Sequence, residues 1–276
     1  MDILLPGETW QRVSAGHRQT DGLAINDSGE VLFSDVQRGC ICRVDLDGKV
    51  SVFADDTQGA CSLMFADDGN LYACQTVTDR IVTYDRSGEE RVIVEDIPSH
   101  DLVMLQGKGY AADPTNQRIW HFTIDGQKQV VSEGIAFPYG VTTIADNAFL
   151  LVSDRQGRFT YSFVMNQDGA LGNQQRYGHF HRTDDRGDVG AAGMTRDTAG
   201  RNYVVSGTGI QVLDQLGRVH LILKNPSEDS LSNVVFGGSN GDRLFVTSGT
   251  VMFSRKLKAR EAFPWKGAVK PPDPQL

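Results

Sequence analysis

The chain has 276 residues, 39% of them hydrophobic and 22% charged, a composition that supplies a large apolar core and argues against disorder. A formal net charge of −8 repels phosphate backbones and anionic lipid surfaces, so neither nucleic acid nor membrane is an expected partner. No apolar run approaches the roughly 20 residues of a membrane-spanning helix, and the opening MDILLPGETW lacks the basic and apolar regions of a secretory signal, so the expected setting is cytoplasmic.

In chain order, one pattern recurs six times: a turn containing Asp, Asn or Gly, followed by a short β-rich run that closes on small or polar residues. It reads DSGEVLFSD at 27–35, DDGNLYACQ at 67–75, QGKGYAADP at 106–114, ADNAFLLVSD at 145–154, DTAGRNYVVS at 197–206 and SNGDRLFVTS at 239–248. A second pattern follows most copies, two alternating strands around a glycine turn: CICRVDLDGKVSVF, RIVTYDRSGEERVIV, RIWHFTIDGQKQVVS and GIQVLDQLGRVHLIL, with turn glycines Gly48, Gly88, Gly126 and Gly217. A period near ~40 residues built from strands of about five predicts four-stranded blades around a central channel. No sustained 3.6-residue period exists to support helical repeats. The expected fold is all-β, a six-bladed β-propeller, and with no linker in sight the expected organisation is one domain over 1–276.

The terminal segments TWQRVSAG and TVMFSRKLKA each lack blade partners, and their pairing in one blade would close the ring and hide its edges. The long interval between the fourth and fifth copies, YGHFHRTDDRGDVGAAG, reads as a loop at one channel mouth, with His179 and His181 on a common strand face. All four cysteines, Cys40, Cys42, Cys61 and Cys74, lie in the first third and read as buried, reduced thiols; Cys40 and Cys42 share a strand face without metal or redox spacing. Trp10, Trp120 and Trp265 read as packing residues.

In a propeller the inner strands converge on the axis, so polar residues distant in sequence meet there. The segments just before the repeats therefore carry the search for chemistry. No P-loop, GxGxxG or HExxH motif is present. At those segments TDGLAINDSGEVLFSD, CSLMFADDGNLYACQ, SHDLVMLQGKGYAADP, FPYGVTTIADN, AAGMTRDTAGRNYVVS and SNVVFGGSNGDRLFVTSG, with the tail FPWKGAVKPPDPQL, the chain resembles the senescence marker protein (regucalcin), gluconolactonase and luciferin-regenerating enzyme family over nearly its whole length.

The resemblance implies one divalent cation at the channel mouth, held by a Glu from an EGP segment, two Asn from ND and NG segments and an Asp from a DGM segment, and acting as a Lewis acid on a lactone carbonyl. Transferred position by position, the Glu falls on Asp21, the two Asn on His100 and Tyr139, and the Asp on Ala192. All four are altered. Hard cations require several oxygen ligands, so no calcium or magnesium cofactor is expected, while a transition metal at Asp21, His100 and Tyr139 remains open.

The same substitutions place other reactive groups together. His100 is a candidate acid or base with an ionisation expected near neutrality, oriented by Asp21 or Asp101, and Tyr139 a candidate donor to a developing oxyanion. Alternatively His100 is a packed loop residue and Tyr139 fills the space of the absent cation. Cys61 reads either as a nucleophilic thiol near His100 or as an inert small hydrophobe. Arg155 is a candidate clamp for a substrate carboxylate, with a solvated rim residue or an ion pair to Asp154 as its plainer readings. Asn233 either lines the channel or caps a turn.

The expected partner is thus a small-molecule substrate or ligand, with oligomeric state open. The expected function is a gluconolactonase-like hydrolase of a small polar lactone or cyclic ester that works without the family metal. A metal-independent cyclase or isomerase, or a degenerate propeller that binds a metabolite or protein, are the alternatives.

Overall fold

The structure is a computed structural model that describes residues 3–144, 147–182, 189–262 and 272. Its strands form six separate four-stranded antiparallel sheets. The first is β2 (Thr20–Ile25), β3 (Val31–Asp35), β4 (Cys40–Val44) and β5 (Val50–Asp55). The second is β6 (Ala60–Phe65), β7 (Leu71–Gln75), β8 (Arg80–Tyr84) and β9 (Glu90–Val94), and the third β10 (Asp101–Leu105), β11 (Lys108–Asp113), β12 (Arg118–Thr123) and β13 (Lys128–Glu133). The fourth is β14 (Pro138–Ile144), β15 (Phe149–Asp154), β16 (Phe159–Met165) and β17 (Leu171–His179), and the fifth β18 (Met194–Arg196), β19 (Asn202–Ser206), β20 (Gly209–Leu213) and β21 (Val219–Leu223). The sixth joins both ends of the chain: β22 (Leu231–Gly237), β23 (Arg243–Ser248) and β24 (Val251–Lys256) are completed by β1 (Gln11–Ala15), which pairs with β24. This is a six-bladed β-propeller, closed by the terminal pairing expected from the sequence.

Local chemistry explains the blade hairpins. In the turn between β4 and β5 the Asp45 carboxylate accepts the N–H groups of Asp47 and Lys49, and Gly48 takes φ 82°. Asp85 with Gly88 and Asp214 with Gly217 repeat the device. The Asx turn fixes the reversal, and glycine adopts the left-handed conformation without the Cβ penalty. The six sequence repeats end in the second strand of each blade, buried on both faces between neighbouring blades. Outer strands such as β5 alternate exposed and half-buried residues, because only one face packs.

The core is accordingly divided into seams between blades. One seam gathers Tyr203, Val205 and Ile210 of the fifth blade with Val234, Phe236, Leu244 and Val246 of the sixth. Trp10 donates Nε1–H to the Lys224 carbonyl (2.9 Å) and Trp120 to Asp113 (3.1 Å), both packed as expected, while Trp265 lies outside the described residues. All four cysteines are buried free thiols, and the Cys40 and Cys42 sulfurs, 3.9 Å apart, do share a face.

The interval after the fourth copy differs from the expected loop. Its first residues extend β17 as far as His179, because the fourth blade's outer strand runs for nine residues; His181 lies beyond the strand, and 183–188 are outside the described residues. Both histidines are exposed. Among the described residues no helix is long and apolar enough to cross a membrane.

Candidate active site at the channel mouth

Every blade begins with its inner strand, so all six inner strands enter the channel from one end. The second residues of β2, β6, β14 and β22 are Asp21, Cys61, Tyr139 and Ser232, while His100 and Ala192 occupy the corresponding places just ahead of β10 and β18. Directly after them come Gly22, Ser62, Asp101, Gly140, Gly193 and Asn233. The mouth is thus lined by one residue per blade, backed by a tier of small or hydrogen-bonding residues. Bulges in β2, β6, β14 and β22 fall within this stretch and turn the side chains from sheet packing toward the axis.

The small residues are required by close backbone approach. A Cβ at Gly140 would lie 2.2 Å from the Ala192 carbonyl oxygen. Gly140→Ala should therefore cost about 3 kcal/mol by overpacking, read as a lower denaturation midpoint; unchanged stability would show that the fourth and fifth blades are free to separate.

Tyr139 Oη and His100 Nε2 are hydrogen-bonded at 2.7 Å, their ring centroids 3.9 Å apart. The Arg155 guanidinium lies 4.5 Å from the Tyr139 ring centre. Burial, and secondarily the charge of Arg155, lower the His100 pKa to about 4, so the imidazole is neutral at pH 7. Burial, reinforced by the Asp21 charge, raises the Tyr139 phenol far above its ordinary value, which keeps its proton in place.

Asp21 is 5% exposed, and one of its oxygens accepts the Gly22 N–H at 2.9 Å. Burial first, with the Asp101 charge adding to it, pushes its pKa up to about 7 against hydrogen bonds from Gly22 and Ser232. Ser232 was not singled out in the sequence, since it precedes the more conspicuous Asn233; its register on β22 is the signal that would have found it. Its Oγ also lies 3.0 Å from the Thr20 carbonyl oxygen, so its one proton is shared between that carbonyl and Asp21 where the sixth blade meets the first.

Asp101 does not orient His100. Its oxygens accept Ser62 Oγ–H, Leu102 N–H (3.0 Å) and Val141 N–H (2.9 Å), so it bridges the second, third and fourth blades. Burial raises its pKa to about 6. Cys61 touches the backbone of His100 and not its ring: the thiol donates to the His100 carbonyl at 3.3 Å. Burial holds its pKa well above the ordinary thiol value, which removes the thiolate needed for a nucleophile.

Of the two readings offered for Asn233 the structure has it lining the channel; it sits inside β22 and not at a turn, and its Oδ1 accepts the N–H of the next strand residue, Val234, at 2.8 Å. Below the mouth the channel holds a cavity of about 70 Å³ walled also by Asp101, with Arg196, Glu261 and Ala262 at its far end. Asp154 forms no ion pair with Arg155; its Oδ1 accepts the N–H groups of Phe137 and Gln156 and shapes the loop into β14.

The donors at the four inherited ligand positions do not fit a hard divalent cation. Ala192 has none, His100 Nε2 is engaged by Tyr139, and a guanidinium rests against the same ring. Among the described residues no three His, Cys, Asp or Glu side chains are grouped to hold a metal ion.

Fold and mouth together define a six-bladed propeller with an ionisable cluster where the inner strands begin. A family model described as the SMP-30/Gluconolactonase/LRE-like region matches residues 105–250, just over half of the chain, and the chain belongs to that family. Among solved structures, one assigned to the gluconolactonases by structural genomics aligns with TM-score 0.83 and 21% identity over 94% of this chain and 96% of its own. A gluconolactonase from Xanthomonas campestris aligns with TM-score 0.80 and 20% identity over 92% of this chain and 91% of its own. The calcium-binding protein regucalcin from Agrobacterium tumefaciens C58 aligns with TM-score 0.78 and 15% identity over 95% and 97%. At these identities the likeness is one of fold. No curated protein sequence matches the chain.

Proposed function

We propose that the protein is a hydrolase of small polar lactones or cyclic esters that uses side-chain acid–base chemistry in place of the family's divalent cation. The observation that carries this reading is Asp21, a buried carboxylate at the channel mouth with a pKa of about 7, beside a protonated phenol. Such a carboxylate is half ionised at neutral pH and can both accept and return a proton.

In this reading Asp21 removes a proton from water as the oxygen attacks the lactone carbonyl. With His100 as the Nε2–H tautomer donating to Tyr139 Oη and holding the phenol in position, the Tyr139 O–H is left to donate to the oxyanion that forms. Collapse breaks the ring C–O bond, and the proton held by Asp21 passes to the departing alkoxide. The product is the open hydroxy acid, and the enzyme returns to its starting ionisation.

The test is a pH-stat assay of five- and six-membered lactones with and without a chelator. Hydrolysis above buffer that survives the chelator is expected. No rate on any lactone, or a rate that requires an added divalent ion, would overturn the proposal.

The competing reading, a propeller that binds a metabolite without turnover, draws on the close packing of Tyr139 and His100. It predicts saturable binding with no product on long incubation. A cyclase or isomerase would use the same Asp21 as base and yield rearranged product with no net uptake of water.

A further inference from the structure

We infer that Arg155 is the fixed cation of this site and selects a substrate that carries a carboxylate next to its cyclic ester. The inference rests on the reading of the mouth as a substrate site and adds the class of molecule it takes.

Arg155 is half-buried and, among the described residues, forms no ion pair. Other arginines of the blades do: Arg80 with Glu95 (2.9 Å), Arg118 with Glu133 (2.8 Å) and Arg218 with Asp214 (2.7 Å). The adjacent carboxylate, Asp154, is committed to backbone N–H groups.

The backbone of Arg155 is held on two sides. Its N–H donates to the Phe137 carbonyl (2.9 Å), and its carbonyl accepts the Gly190 N–H (3.1 Å). The guanidinium rests against the Tyr139 ring, 4.5 Å from its centre. Ring contact engages the face of a guanidinium and leaves the in-plane N–H groups along its edge, the part that pairs with a carboxylate in a two-point geometry. Its charge also reaches the reacting groups, lowering the pKa of both His100 and Asp21.

These facts have a common electrostatic sense. The protein has a formal charge of −8, and the mouth holds Asp21 and Asp101, so an anion gains a place there only through a local positive charge. Arg155 supplies it beside Tyr139, within electrostatic reach of Asp21 and His100. A neutral sugar lactone leaves the charge of an unpaired, partly desolvated guanidinium uncompensated; a carboxylate-bearing lactone neutralises it.

The test is calorimetric binding of 5-oxotetrahydrofuran-2-carboxylate and of its neutral methyl ester. The wild-type protein is expected to bind the carboxylate about 10-fold or more tightly than the ester, a factor equal to about 1.4 kcal/mol. Arg155→Gln should abolish that preference, and Arg155→Lys, which keeps the charge but loses the planar fork, should keep only part of it.

Equal affinity for the two ligands in the wild type, or a preference that survives Arg155→Gln, would overturn the inference. Thermal denaturation of both variants establishes that each is folded. Because the readout is binding, an Arg155-dependent preference without turnover would leave the selection standing and remove only the hydrolase reading.

Discussion

Asp21→Asn is expected to lower the rate of lactone hydrolysis by about 10² to 10⁴-fold, the range for loss of a positioned general base, while ligand affinity changes little. Asn keeps the size and the Gly22 hydrogen bond but cannot accept a proton. The wild-type rate should rise with pH and level off above about 7, since Asp21 must be ionised to act and burial places its pKa there. His100 cannot supply this limb: burial holds its pKa near 4, so it is already neutral throughout the range in which the rate changes. The imidazole ionisation near neutrality expected from the sequence is therefore reassigned to a carboxylate. His100→Ala should have a smaller effect than Asp21→Asn, through misplacement of the Tyr139 phenol. Retention of more than a tenth of the wild-type rate in Asp21→Asn, or an acid limb that persists in whatever activity is left, would remove Asp21 from the mechanism.

The blades were legible because their sequence signals are local. An Asp that closes an Asx turn and a Gly at positive φ three residues later mark several hairpins directly, as at Asp45 and Gly48. The site was legible only in its membership. The ring formed by Asp21, Cys61, His100 and Tyr139 follows from register, since one residue per blade faces the mouth. Roles depended on partners that no local pattern specifies.

Asp101 reads in sequence like a companion of His100, yet strand alternation sends it into a bridge with Ser62 and the Val141 backbone. Cys61 lies near His100 as expected, but contact is with a carbonyl oxygen, which suits a protonated thiol. The pKa order of the cluster was out of reach for the same reason: burial decides it, and burial is a property of the assembled ring. The matched family region begins at residue 105, after Asp21, Cys61 and His100, so those three positions lie outside the match.

The buried carboxylates also set a dependence of stability on pH. Asp21 titrates at about 7 and Asp101 at about 6 in the folded protein, against 3.8 for an unperturbed aspartate. Between pH 4 and 7 the folded state therefore holds more protons than the unfolded chain. Their linkage makes stability fall as pH rises through that window and stay level above it. For Asp21 alone the displacement of roughly three pKa units corresponds to on the order of 4 kcal/mol. His100 works in the opposite direction: its folded pKa of about 4 lies below the ordinary imidazole value of 6.5, so its linkage makes stability rise with pH between those values.

The difference between Asp21→Asn and wild type isolates the first effect, because His100 and Asp101 are present in both proteins. Near pH 4 that difference should be small, since wild-type Asp21 is protonated and its carboxyl resembles the amide. At pH 8 the Asn variant should be the more stable by several kcal/mol, having no desolvated charge to bury. Urea denaturation at pH 4.5 and pH 8 measures both ends. A variant whose advantage is the same at the two pH values would mean that Asp21 ionises as readily in the folded protein as in water, and a general base of pKa about 7 at the channel mouth would go with it.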